Sequence, residues 1–239
     1  MKIQKYICTT YLLIFAISTY ARADDLDKLT RVCDNYDDQT ACYQAGEGYS
    51  DIHDFSKAKI YYEKSCKIGI KQCKFDNKEC EKGNINSTWA CCSLGKLYED
   101  EKDYNKAKIY YEESCDRYDA TGCWSLGKLY EDEKDYNKAK LYYEKSCGGG
   151  QVSWGCYYLG NLYWYGRGVR QDYSRAISYY EYACNRNDGF FCYHLGFLYE
   201  HDEGVVRNLF TSKEYYGKAC DLGEQYGCDA YRKLNERGY

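Results

Sequence analysis

The chain has no proline, one methionine and only three histidines: His53, His194 and His201. Without proline nothing removes a backbone donor, so uninterrupted helices are favoured over many tight turns. Three scattered histidines cannot build the usual zinc sites, and the sixteen cysteines show no C-x2-C spacing. Neither a metal nor a cofactor is therefore expected. With 29% of residues charged, a polytopic membrane protein is excluded, and an aromatic content of 18% excludes a disordered tail. Basic residues are not clustered, and acids outnumber them, 37 to 33. Such a chain does not suit nucleic acid, where affinity comes from grouped Lys and Arg on phosphates, or anionic lipid surfaces.

Residues 1–23 differ from the rest. Lys2 and Lys5 precede a 12-residue apolar stretch from Tyr6 to Ile17, and Ala21-Arg22-Ala23 is a small-x-small cleavage pattern. This reads as a secretory signal with Asp24 as the mature start. The stretch is too short for a membrane anchor, since a spanning helix takes about 20 apolar residues. Cleavage would take Cys8 with it and leave 30 basic against 37 acidic residues and fifteen cysteines. A Cys-dense exported chain, periplasmic or secreted, reads first as a disulfide framework.

The chain is built on an internal repeat. Residues 93–115 and 125–147 differ only at Ile109/Leu141 and Glu113/Lys145, a period of 32. Copies starting at Cys156 and Cys192 have a period of 36, and an earlier copy starts at Cys42. Each unit reads as two helices. The first carries C-x-x-L-G-x-x-Y, as in Cys123, Leu126, Gly127 and Tyr130, on one helical face. The second carries Tyr136, Ala139, Tyr143 and Cys147, with Asp135 as its expected N-cap. Glycine at 95, 127, 160 and 196, in mid-helix, points to close approach of a neighbouring helix, with Ala107, Ala139 and Ala176 serving the same contact. Gly166 and Gly168 give the longer third unit the freedom for a helix end and turn.

The set Leu159-Gly160, Tyr163, Gly166, Gly168-Val169, Asp172, Arg175-Ala176 and Tyr180 resembles the Sel1-like repeat, a relative of the tetratricopeptide repeat. The resemblance implies an all-α, right-handed α/α solenoid over residues 24–239: about five helix pairs plus terminal helices, with an insertion near 67–90.

Cysteines follow the repeat. One ends each second helix and one begins each following first helix. The expected bridges are Cys33–Cys42, Cys66–Cys91, Cys115–Cys123, Cys147–Cys156, Cys184–Cys192 and Cys220–Cys228. The excess length between Cys66 and Cys91 is expected to form a hairpin-like excursion closed by Cys73–Cys80; the alternative pairs Cys66 with Cys73 and Cys80 with Cys91. Cys92 is left over, read either as a thiol half-buried on its helix or as an intermolecular or redox link; otherwise a monomer is expected. A bridge at every corner, C-x7-C joined to L-G-x-x-Y, resembles the Helicobacter cysteine-rich protein family. That resemblance implies secretion, penicillin binding and, in some members, weak β-lactamase activity.

For that activity, Ser93-Leu-Gly-Lys96 and Ser125-Leu-Gly-Lys128 fit S-x-x-K, but both coincide with the repeat consensus and no S-D-N or K-T-G is present. The triplet Asn86-Ser-Thr88 matches a glycosylation sequon. A binding face is the better expectation. The residue after each helix-starting Cys forms a column, Tyr43, Cys92, Trp124, Tyr157 and Tyr193, with Glu47, Lys96, Lys128, Asn161 and Phe197 four positions on. Rings beside polar groups suit an extended peptide, a cell-wall fragment or a host protein, and β-lactams by resemblance.

Overall fold

The computed structural model describes residues 25–75, 85–149, 153–186 and 188–239, with side chains throughout except at 70–75. Twelve helices and no strand are found among them. The expected signal segment 1–23 with Cys8, and the expected Cys73–Cys80 bridge, lie outside the described residues.

The chain divides into two compact units, residues 1–113 and 114–239. The first holds α1 (25–36), α2 (Gln39–Asp51), α3 (Phe55–Phe75), α4 (Ile85–Asp100) and most of α5 (Tyr104–Cys115). The second holds α6 (Ala120–Asp132), α7 (Tyr136–Gly148), α8 (Ser153–Tyr165), α9 (Tyr173–Cys184), α10 (Gly189–His201), α11 (Leu209–Asp221) and α12 (Gln225–Glu236). Even-numbered helices from α2 to α10 carry the recurring pattern C-x-x-L-G or its variant and pair with the helix that follows. In the second unit α6 also touches α8, and α10 touches α12, the stacking of a repeat.

Short polar side chains start these helices. Asp38, Asp119, Asp135, Asp172, Asp188 and Asn208 each accept a backbone N–H of the first turn. Where the short units turn between their two helices, Lys102 and Lys134 take the left-handed conformation; in the long units Gly166, Gly168 and Gly204 do so. Helix α3 continues to Phe75 and α4 begins at Ile85, so the described parts of 67–90 are helical.

Tyrosine builds the pairs, by two devices repeated in each unit. A Tyr near the end of the first helix stacks on the first of the paired tyrosines in the second: Tyr49 on Tyr61, Tyr98 on Tyr110, Tyr130 on Tyr142, Tyr163 on Tyr179 and Tyr199 on Tyr215, at 5.4–5.9 Å. Lys57, Lys106, Lys138 and Arg175, from the first turn of the second helix, lie over the first four of these stacks at 4.8–5.1 Å. The other paired Tyr is buried. Its ring lies against the mid-helix glycine: Tyr62 on Gly46, Tyr111 on Gly95, Tyr143 on Gly127, Tyr180 on Gly160 and Tyr216 on Gly196. The close approach expected at these glycines is thus made by an aromatic ring of the partner helix. Each buried hydroxyl donates to a side chain of the first helix: Glu47, Glu99, Glu131, Asn161 and Glu200 in turn.

All six expected corner bridges are formed. Cys33 joins Cys42, Cys66 joins Cys91 and Cys115 joins Cys123. Cys147 joins Cys156, Cys184 joins Cys192 and Cys220 joins Cys228. Since Cys66 and Cys91 bond each other, the alternative that would pair them with Cys73 and Cys80 is not adopted. The bridged Cα atoms lie 4.4–5.0 Å apart. In the chain-entropy model a loop of about ten residues contributes about 2–3 kcal/mol per bridge. Cys92 takes part in none of the six and is half-buried.

Candidate functional site

The corner bridges fix where each first helix begins. In the second unit this places the first turns of α6, α8 and α10 and the approach to α12 along one groove of about 570 Å³, lined among others by Thr121, Trp124, Ser153, Trp154, Phe190 and Leu222. The lining follows helical spacing. Thr121, Trp154 and Phe190 stand two residues before their cysteines, and Trp124 stands one after, so 121 and 124 share a face as i and i+3.

The floor is aromatic. Trp154 lies 6.1 Å from Trp124 and 5.5 Å from Phe190, and meets the buried Phe191 edge-on at 5.0 Å. Tyr157 stands behind it, edge-on to Trp154 at 6.1 Å. Trp154 and Phe190 remain 36% and 40% exposed, which is unusual for rings so well surrounded. The Trp124 indole N–H is shielded from solvent and has no acceptor among the described residues. A buried donor without an acceptor is unfavourable.

Polar groups edge the groove. Asp188 accepts from the Phe190 N–H at 3.1 Å and Glu224 from the Tyr226 N–H at 3.2 Å. Arg186 donates to the Tyr182 hydroxyl at 2.6 Å and covers that ring at 4.5 Å.

The expected column is brought together only in part. Trp124 lines the groove; Tyr157 supports the floor and packs on Tyr180 at 5.4 Å, and burial raises its hydroxyl pKa. Tyr193 turns to Tyr216 and Tyr226 at 5.5 and 6.1 Å. Asn161 is engaged by the Tyr180 hydroxyl at 2.7 Å, and Phe197 stacks on His201 at 4.1 Å. Lys128 and Ser125 are half-buried on α6. In the first unit Tyr43 lies 6.0 Å from Tyr62 and 6.2 Å from Trp89; burial and then Glu47 push its hydroxyl to about 12.

The first S-x-x-K pair does not present a free base. Lys96 donates to Asp100 at 2.7 Å and lies 3.9 Å from Glu99, and the Asp100 hydrogen bond raises its pKa, the wrong direction for a proton acceptor. Asn86 of the sequon donates to Thr40 at 2.9 Å, and Ser87 and Thr88 are buried. No grouping of metal ligands is found among the described residues. Trp154 and Phe190 escape a column that runs forward from each cysteine. Their signal stands two residues before it, in Trp89, Trp154, Phe190 and Tyr226.

The Sel1 repeat model matches residues 40–70, 155–188 and 190–224, and a tetratricopeptide repeat model matches 90–121 and 120–148. Among solved structures the chain is similar to a Sel1 repeat protein from Oxalobacter formigenes, with TM-score 0.63 and 19% identity, covering 91% of this chain and 95% of that one. It is also similar to a protective antigen of uropathogenic Escherichia coli with an SLR fold: TM-score 0.56, 18% identity, 90% of this chain and 53% of that one. These two likenesses concern the fold. Helicobacter pylori cysteine rich protein B is 33% identical over 54% of this chain and 95% of that one, with TM-score 0.44. No curated protein matches.

Proposed function

Because the chain belongs to the Sel1 repeat family, we propose that it is a binding module which holds an extended segment of another protein in the groove of its second unit. One observation carries the reading: Trp124, Trp154 and Phe190 line one groove, two of them substantially exposed. Rings of this kind give large contact area at low entropic cost.

Six corner bridges suit an oxidising compartment, periplasmic or extracellular. Among the described residues no helix is long and apolar enough to cross a membrane. A cell-wall peptide or a host protein would both present such a segment. Penicillin binding and weak β-lactamase activity rest on the resemblance to the Helicobacter cysteine-rich proteins; Lys96 beside Asp100 adds nothing to them.

The test is calorimetric titration of the oxidised chain with cell-wall pentapeptide and with a set of short capped peptides, repeated with Trp154→Ala and with Phe190→Ala. Each variant is expected to weaken binding about tenfold or more, the loss of one buried aromatic anchor. Affinities unchanged in both variants would remove the groove from consideration.

A further inference from the structure

Floor and rim of the groove favour one sign of charge. The floor presents indole and phenyl faces, which carry the negative lobe of the ring quadrupole and attract cations. The rim presents Asp188 and Glu224. They are neighbours, since a Cβ on Gly189 would stand 2.8 Å from the Glu224 Cβ. Each uses one carboxylate oxygen to cap its helix, through Phe190 and Tyr226 N–H, and has no other partner among the described residues. The helix N-termini they cap offset about half a charge each and Arg186 carries a full positive charge on the same rim, so the preference rests on the two carboxylates standing close together rather than on net charge. The one cation on the rim, Arg186, is already turned onto Tyr182. The whole chain carries 37 acids against 33 bases, which favours approach of a basic partner.

We propose that the segment bound in this groove is basic, with a lysine or arginine side chain over Trp154 and Phe190 between the Asp188 and Glu224 carboxylates. The inference rests on the groove being a peptide site. It adds a charge requirement which the aromatic floor alone does not impose. In this arrangement the peptide backbone runs past the starts of α8 and α10.

The experiment titrates the oxidised full chain with three short capped peptides of alternating alanine, tyrosine and one variable residue: lysine, glutamine or glutamate. Binding is followed by calorimetry at low and at physiological salt. The protein is compared with Asp188→Asn/Glu224→Gln, which keeps both helix caps, and with Trp154→Ala; unfolding midpoints check that the variants are folded. The lysine peptide is expected to bind most tightly, to weaken with salt, and to lose about fivefold in the double variant, the size of two partly exposed charge contacts. The glutamine peptide is expected to lose nothing there. If glutamine or glutamate peptides bind as well as lysine and still weaken in Trp154→Ala, the charge requirement is wrong and the peptide groove stands. If no peptide binds, or none responds to Trp154→Ala, both readings fall.

Discussion

Gly127 lies beneath the ring of Tyr143, so close that a Cβ added to it would stand 2.6 Å from Cδ1 of that ring. The same contact recurs in every unit, from Gly46 with Tyr62 to Gly196 with Tyr216. It sets how near the two helices of a pair approach. Tyr143 is fully buried, and its hydroxyl is held by Glu131 at 2.7 Å, so the ring has no room to retreat. Burial, and then that carboxylate, hold the hydroxyl well above its ordinary pKa.

Gly127→Ala should therefore destabilise the protein although alanine is the better helix former. Overpacking of about 1–3 kcal/mol stands against a helix gain of about 1 kcal/mol, leaving a net loss of up to about 2 kcal/mol. Gly148→Ala is the control, since a Cβ there meets nothing within 4 Å. Its stability should be unchanged or slightly raised. Urea unfolding of the two variants distinguishes ring contact from helix propensity.

His194 stands among rings, edge-on to Tyr157 at 5.3 Å and to Tyr180 at 5.0 Å. Burial lowers its pKa to about 4. The folded state therefore binds the proton less well than the unfolded chain, whose histidine titrates near 6.5. The stability due to neutral His194 is complete above about pH 6.5 and is lost as pH falls towards 4, by up to about 3 kcal/mol. His194→Phe should flatten the unfolding midpoint between pH 6.5 and 4. A midpoint that drops as steeply in the variant would assign the acid sensitivity to other groups.

The bridges make a third prediction. Non-reducing peptide mapping should recover six linkages between neighbouring helices, from Cys33–Cys42 at one end to Cys220–Cys228 at the other. Removing one by Cys184→Ser/Cys192→Ser should cost about 2–3 kcal/mol, and should loosen the start of α10 in hydrogen exchange before the rest of the unit. Linkages that skip whole repeats would contradict the helix-pair assignment.

Much of this architecture is legible in the sequence because its devices are local. A cysteine at each end of a short corner, such as Cys220 and Cys228, reaches its neighbour first, and the C-x-x-L-G-x-x-Y face is written in one helix turn after another. Mid-helix glycine points to a close contact, but sequence does not say whether a backbone or a ring makes it, since Tyr143 lies sixteen residues away on the next helix. Tyrosine hides the stacks in the same way: thirty-two of them fit either core or surface, and only pairing separates Tyr142 from Tyr143. Half of the groove is legible. Trp124 follows the cysteine stripe, whereas Trp154 and Phe190 sit before it at a position held by threonine in two other repeats, Thr40 and Thr121. The run after Cys66 reads as an excursion because its length breaks the period, and α3 takes up the first part of it as helix, to Phe75.

Hydrogen exchange of the native, oxidised chain with and without the lysine–tyrosine peptide tests the central claim most directly. Protection is expected at the first turns of α6, α8 and α10 and around Glu224, where Trp124, Trp154 and Phe190 stand. Protection confined to other helix faces, or none while the peptide binds, would contradict a ligand groove built on the bridged ends of these helices.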